Sequence, residues 1–339
     1  MNYFSTLFIG SIGACLLSSC THYFDLDKVA EPSKLVVYCY PGIGDTTVVH
    51  LSRSIPVNET DGDFQNIKNA DVRISANGNP IQLQRTDKPL PGVPAQSYYA
   101  LTGFKENEQI ELTASAEGMQ PVSAQTTIPT SFPLNYIRME KKRSNSNTLQ
   151  FQLNFNDNGY TDDYYAVTLE TKWMEWRNEN YSEGSGRTYL DLSDEPLLHT
   201  SGLDDVILND KNFYQNLYYW NDKQIQGKSY TLRLNTLYYA DYDEIYDYGN
   251  EQEHVIAKRK YRITLYTLSE EFYKYLKSIN DQQNNDLSNS ELAPMRITYT
   301  NVNRGLGIVG GCRLIRTEWI DNLQEDETSK TISCVDEIN

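Results

Sequence analysis

The chain has 339 residues and sets 46 Asp and Glu against 30 Lys and Arg, a formal charge of −16. That balance excludes nucleic acid as a partner, because phosphates demand a basic footprint. It equally excludes electrostatic attachment to anionic lipid. With 26 tyrosines against 10 phenylalanines and 4 tryptophans, the chain is polar yet rich in rings. Tyrosine suits strands and half-wet positions, so a β-rich, surface-displayed protein is predicted.

Phe4 to Leu17 is apolar or small, carries no charge, and runs into Leu17-Ser18-Ser19-Cys20. A short apolar run closed by leucine, two small residues and a cysteine has the form of a bacterial lipoprotein signal, and it is too short to span a bilayer as a helix. The positive flank usual before such a run is reduced to the terminal amine. The alternative reading is a buried N-terminal helix with an incidental cysteine. On the signal reading, residues 1–19 are removed and Cys20 is acylated, making the lipid bilayer the first expected partner. The acyl chains alone must then hold the membrane. Residues 20–33 form a short polar tether carrying Asp25 and Asp27.

From Lys34 the pattern is β. Leu35 to Tyr40 is an apolar run of strand length, and Thr47–Ser52, Ala70–Ala76, Ile81–Arg85, Ser97–Leu101, Gln109–Ala116 and Val122–Ile128 follow between turn signals such as Asn77-Gly78-Asn79-Pro80. Short strands at this spacing predict an immunoglobulin-like or transthyretin-like β-sandwich over 34–130. Pro129 and Pro133 mark a boundary. A second β-rich domain, 131–322, is predicted from Leu134–Glu140, Thr148–Phe155, Tyr164–Trp176, Ser229–Tyr239, Arg259–Leu268, Met295–Asn301 and Cys312–Ile320, with Glu183–Gly186 as a loop. Its one amphipathic helix is predicted at 269–279. Ser269 is the N-cap, Glu270 and Glu271 suit the dipole, and Phe272, Tyr275, Leu276 and Ile279 form the apolar face. Residues 323–339 read as a C-terminal tail.

Cys15 leaves with the signal and Cys20 takes lipid, so Cys39, Cys312 and Cys334 remain. An odd number allows one bridge at most. Cys39 sits in a strand pattern as a small buried hydrophobe. Cys312 and Cys334 share a terminal segment and form the disulfide candidate, worth roughly 3 kcal/mol for a loop of about twenty residues.

Gly305, Gly307 and Gly310 match dinucleotide-site spacing, but a strand pattern follows where phosphate binding needs a helix, so close backbone approach between strands is the better account. Asn154, Asn156, Asn158 and Gly159 imitate the start of a calcium loop, yet the twelfth position is Tyr165 rather than a bidentate acid. A looser calcium site near Asp157, Asp162 and Asp163 stands against an ordinary solvated turn, and no cofactor is expected. His22, His50, His199 and His254 show no ligand spacing, and no Gly-x-Ser-x-Gly elbow is present. The positive hint of a binding surface is aromatic. Phe213, Tyr214, Tyr218, Tyr219 and Trp220 cluster, and Tyr238, Tyr239, Tyr242, Tyr246 and Tyr248 follow in an acidic segment. Trp220 and the latter five tyrosines are the binding candidates; strand-core and rim positions are the competing account.

The stretch SEEFYKYLKSI, then Pro294 and ITYTNVNRGLGIVGG, resembles the C-terminal signature of lipoproteins of Bacteroides-type bacteria gathered as domain of unknown function 4249. LVVYCY, Asn69–Ile74, Ser97-Tyr98-Tyr99 and the Ile-Pro-Thr at 128–130 resemble its N-terminal half, so the likeness spans nearly the whole mature chain. Asn303-Arg304 and Val309 depart from the expected small or acidic and aromatic residues. The acids at 25 and 27 loosely resemble a surface-export signal. The resemblance implies an outer-membrane lipoprotein, often encoded beside a TonB-dependent receptor, with no assigned reaction and no catalytic residues to carry over. The expectation is a lipid-anchored, surface-exposed, non-catalytic accessory to TonB-dependent nutrient uptake. A structural or adhesive surface protein is the alternative, and an uncharacterised hydrolase the third.

Overall fold

The computed structural model describes residues 32–55, 67, 69–142, 147–198, 213–214, 216–249, 251–283, 297–332 and 335–337. The expected signal and Cys20 lie outside the described residues. The N-terminal strands are β1 (Leu35–Cys39), β2 (Thr46–Arg53), β3 (Ala70–Ala76), β4 (Asn79–Ile81), β5 (Gln84–Thr86), β6 (Ser97–Leu101), β7 (Gln109–Ala116) and β8 (Val122–Thr127). Next come β9 (Leu134–Lys141), β10 (Thr148–Asn156), β11 (Tyr164–Arg177), β12 (Asn180–Arg187), β13 (Phe213–Tyr214), β14 (Leu217–Asn221), β15 (Ser229–Leu237), β16 (Tyr242–Asp247) and β17 (Gln252–Leu268). Helix α1 (Glu270–Gln283) precedes β18 (Leu306–Val309), β19 (Cys312–Thr317), β20 (Ile320–Asp321), β21 (Ser329–Ile332) and β22 (Val335–Glu337). The chain is mostly β, with one α-helix among the described residues. That helix is neither long nor apolar enough to cross a membrane.

The first sandwich packs the sheet β18-β1-β2-β6-β5 on the sheet β4-β3-β7-β8. Alternation does the work: in β7, Ile110, Leu112 and Ala114 are buried while Gln109, Glu111 and Thr113 face water. They meet Val37, Cys39, Val49 and Leu51 of the opposite sheet. Each such aliphatic side chain contributes about 1.5–3 kcal/mol on burial. The second sandwich packs β15-β10-β9-β21 on a nine-stranded sheet whose path is β13-β14-β11-β17-β19-β22, with β12, β16 and β20 branching from it. Its core is led by Phe151, Leu153 and Phe155 of β10 against Tyr165, Val167 and Leu169 of β11.

The C-terminal stretch crosses the boundary expected at 130/131. β18 pairs in parallel with β1, Val37 opposite Gly307, so residues 306–309 complete the first sandwich. Gly307 holds φ at +95°, and a Cβ there would lie 2.0 Å from the Val37 carbonyl oxygen. A Cβ on Gly310 would lie 2.7 Å from the Phe272 Cβ. The glycine spacing is therefore a packing device between strands and against α1, as the strand pattern implied.

α1 begins where expected and runs to Gln283, four residues past the predicted end. The Phe272 amide donates to Ser269 Oγ at 3.3 Å and the Tyr273 amide to the Ser269 carbonyl at 3.0 Å, so Ser269 caps the helix. Phe272 stacks on Tyr40 and Tyr275 meets Tyr38 of the first sandwich, while Tyr273 lies against Tyr164 and Tyr219 of the second. The helix is a wedge between the two.

Other expectations need correction. Residues 323–339 are not simply a tail: Leu323 is buried, β21 pairs with β9, and β22 pairs with β19. Residues 297–301 of the expected strand Met295–Asn301 lie outside regular structure. There Asn301 spends its side chain on the Val309 amide and carbonyl, at 3.0 and 2.8 Å. Cys334, one half of the candidate Cys312–Cys334 bridge, lies outside the described residues. Cys312 carries a free, fully buried thiol whose ionisation burial suppresses, as does Cys39.

Candidate functional site

β11 and β17 pair over their full common length, from Tyr164 opposite Leu268 to Arg177 opposite Val255. Their distal halves outrun the sandwich. Asn178, at φ +51°, turns the chain so that β12 returns along β11, and β16 lies along the other side of β17. The result is a projecting four-stranded blade, β12-β11-β17-β16. The expected loop at Glu183–Gly186 is part of β12, and the acidic connection 240–250 contains β16. Neither alternates in hydrophobicity, because β12 and β16 are exposed along almost their whole length; pairing with the long strands supplies the order instead.

All six residues of β16 are exposed, and among the described residues no strand pairs with its outer side. Register places Tyr242, Glu244 and Tyr246 on one face with Glu253 and Ala257, and Asp243, Ile245 and Asp247 on the other with His254 and Ile256. Arg177 ties the first face together, 2.7 Å from Glu175 and 3.2 Å from Glu253. Tyr246 donates to Glu244 at 2.6 Å, which, more than any other cause, pushes its hydroxyl up to about 12. Ile245 is 67 % exposed and Tyr248, at the turn, 69 %. At the base of the blade, Tyr242, Asp243, Glu244, Ile256 and Lys258 line a cavity of about 950 Å³, closed on its far wall by Asp321, Leu323 and Glu325.

The expected binding residues divide accordingly. Tyr242, Tyr246 and Tyr248 share the exposed blade. Tyr239 is 48 % exposed below it, under the Arg259 guanidinium at 4.3 Å. Tyr238 packs partly into the second core, with Lys141 at 4.8 Å over its ring. Trp220 leaves the set: at 1 % exposure it packs against Phe132, Phe155 and Tyr165, with ring centroids 5.6–6.3 Å away. Tyr218 and Tyr219 are equally buried. β14 is covered on both faces, Tyr218 and Trp220 facing the sandwich core and Tyr219 facing α1. A central strand of this kind shows no alternation, and so resembles an aromatic patch in the sequence.

The acids expected to form a loose calcium site are regrouped. Asp157 and Asp163 come together with Asp222, their carboxylate oxygens all within 4.8 Å of one another, while Asp162 points to solvent. Asp222 lies far along the chain and carries no local signal. Tyr165 donates to Asp157 at 2.9 Å and the Gly227 amide at 2.8 Å, and the Asp163 amide donates to Asp222 at 2.8 Å. Three carboxylates offer hard oxygen donors of the kind divalent calcium takes, but fewer than the six to eight it needs, so carbonyls and water would have to complete a shell.

Burial, reinforced by the neighbouring acids, raises the pKa of Asp163 and Asp222. Raised carboxylate pKa values mean that the folded state holds protons more tightly than the unfolded one. Their contribution to stability is therefore present at low pH and lost as pH rises through the folded-state values. Asp222→Asn is expected to stabilise the protein at pH 7 by about 1 kcal/mol or more, since two unit charges about 5 Å apart repel by about 1 kcal/mol in water and by more where a carboxylate is buried, as Asp222 is. It should also flatten the fall in stability on going from pH 4 to pH 7. Urea unfolding at the two pH values, with and without calcium, checks this. Calcium stabilising the wild type and not the variant would identify an ion site; a variant less stable at pH 7 would show that the carboxylate is needed as an acceptor.

No curated protein matches the chain at a significant level. A family model described as "Domain of unknown function (DUF4249)" matches residues 21–315. With that match covering most of the chain, from residue 21 through the first sandwich, α1 and most of β19, the protein belongs to the DUF4249 family.

Proposed function

We propose that the chain is an acylated, non-catalytic lipoprotein of the outer membrane, displayed at the cell surface, that serves TonB-dependent uptake by docking a receptor through β16. The observation that carries this reading is β16 itself. Six consecutive exposed residues on an unpaired edge are open to strand addition, which proteins normally blunt with charge, lysine above all, with proline or with a bulge. Tyr-Asp-Glu-Ile-Tyr-Asp has neither lysine nor proline. Its acids keep the edge soluble, while its rings and Ile245 offer area to desolvate. An added partner strand would gain main-chain hydrogen bonds from the edge and specificity from alternate side chains. The lipoprotein signal ending at Cys20 supplies the anchor, and the short tether holds the blade close to a membrane-embedded partner.

The test is a pull-down from detergent-solubilised outer membrane with wild type and the triple variant Tyr242→Ala, Tyr246→Ala, Tyr248→Ala. Interface energy concentrates in a few aromatics, so association should weaken by about 2–4 kcal/mol. Exposed positions typically change stability by no more than about 0.5 kcal/mol each, so the melting temperature should stay nearly unchanged. Equal receptor recovery at equal melting temperature would remove β16 as the docking edge.

A further inference from the structure

A second cavity, of about 370 Å³, has Tyr239 in its lining. It lies between the ends of β10 and β15 in one sheet and β11 and β17 in the other, where Thr148, Thr236, Leu237, Tyr239, Arg259 and Tyr261 line it, with Asp191 at its wall. Such a volume is near the lower end for ligand pockets and suits a single ring.

Two features of this cavity are unspent. The first is Arg259. Several arginines of this acidic chain are held by carboxylates: Arg262 by Glu170 at 2.8 Å, Arg177 by two glutamates, Arg73 by Asp71 at 2.6 Å. Among the described residues no carboxylate makes a salt bridge with the Arg259 guanidinium. Its face rests on the Tyr239 ring, and its backbone amide donates to Asp241 at 3.0 Å. A stacked guanidinium leaves its N–H edge directed outward, in the fork that matches a carboxylate. The second is the Tyr261 hydroxyl, which is buried and has no hydrogen-bond partner, on a residue 1 % exposed. An unpaired buried hydroxyl costs about 1–3 kcal/mol. Leu237, 61 % exposed at the rim, and the Tyr239 ring supply apolar surface. Asp191 accepts from the Ser193 amide through one oxygen at 3.0 Å. Its other oxygen is a candidate acceptor for a ligand hydroxyl or ammonium.

We infer that this cavity binds a small cyclic carboxylate bearing a hydrogen-bond donor, its carboxylate forked by Arg259, its ring against Tyr239 and Leu237, and its donor toward Asp191. In a chain of charge −16, a diffuse attraction for anions is absent, so recognition rests on this one guanidinium. The site is separate from the β16 edge, so the outcome of the receptor-docking test is independent of it.

The probes are 4-hydroxybenzoate and its neutral isostere 4-hydroxybenzamide, observed by saturation-transfer NMR against the full chain in detergent. A charge-assisted pair is worth about 1.5–3 kcal/mol, so the carboxylate should bind at least about tenfold tighter than the amide. Arg259→Gln should abolish that preference, and Arg259→Lys should retain part of it. Thr148→Trp, which fills the cavity from the opposite wall and leaves Arg259 untouched, should remove binding of both probes. Equal binding of acid and amide to the wild type overturns the inference. So does carboxylate binding that survives Thr148→Trp, or that survives Arg259→Gln at full strength. If Arg259→Gln does not fold, the wild-type preference and Thr148→Trp decide the matter.

Discussion

Replacing Gly307 by alanine should destabilise the protein by about 3 kcal/mol or more, the range reached when backbone strain and a core clash coincide. Two costs act together. At φ +95° an L-residue is outside its ordinary basins, which by itself costs about 1–2 kcal/mol. The added Cβ would also lie 2.0 Å from the Val37 carbonyl oxygen and 2.8 Å from its carbon. Both are backbone atoms of β1, and neither can swing aside as a flexible side chain would. Relief requires β18 to part from β1, which gives up the pairing from Val36–Leu306 to Cys39–Val309 and exposes Val309 and Ile308. Gly118→Ala is the matched control. Gly118 has φ +73° but open space around its Cβ position, so it should lose only the conformational part. Urea unfolding of the two variants separates the costs, and a chain of this size should lose roughly 2–4 °C of melting temperature per kcal/mol. Equal losses in the two variants would mean that β18 is not clamped to β1 as described.

The strands that face one core were legible, because period-two alternation is a local property. Ala70–Ala76 and Gln109–Ala116 are observed with the expected limits. The helix was legible from Ser269 and its apolar face, although its last turn extends through Asn280 and Asp281, polar residues held by burial and by the Lys277 ion pair. What local pattern cannot carry is the choice of partner. Nothing in Leu306–Val309 says that it joins a strand at the opposite end of the chain, and so the boundary at 130 looked cleaner than it is. The same limit governs the candidate sites. Trp220 and Tyr242 both sit in aromatic, strand-forming stretches, yet one strand is covered on both faces and the other on neither. Asp222 joins Asp157 and Asp163 only because β14 pairs with β11, Tyr164 opposite Asn221. Arg259 was read as the first residue of a strand, and its want of a carboxylate shows only when its neighbours' ion pairs are counted in space.

Substituting Cys20 by alanine should abolish lipid attachment altogether. Acyl transfer begins at a thiol, and a methyl group offers no nucleophile, so incorporation of a fatty-acid analogue should fall to background. Processing that depends on the modified cysteine should then stall, leaving either a precursor that retains residues 1–19 or soluble protein. Nothing else in the chain is expected to hold it at the membrane. A formal charge of −16 gives no attraction to anionic lipid, and a stable anchor needs two acyl chains or one chain with a basic patch. Release should therefore be complete at low as well as high salt, whereas the wild type should resist both. Cys15→Ala is the informative control, because Cys15 lies inside the apolar run and, on the signal reading, leaves with it; labelling should be unchanged. Cys39 and Cys312 are fully buried and their thiols are held protonated by desolvation, so neither competes for label in the folded protein. Persistent labelling in Cys20→Ala would place the lipid elsewhere and remove the anchor on which the surface reading depends. Labelling lost in Cys20→Ala and kept in Cys15→Ala would leave the start of β1 within about 50 Å of the membrane, the most that a tether of about fourteen residues spans.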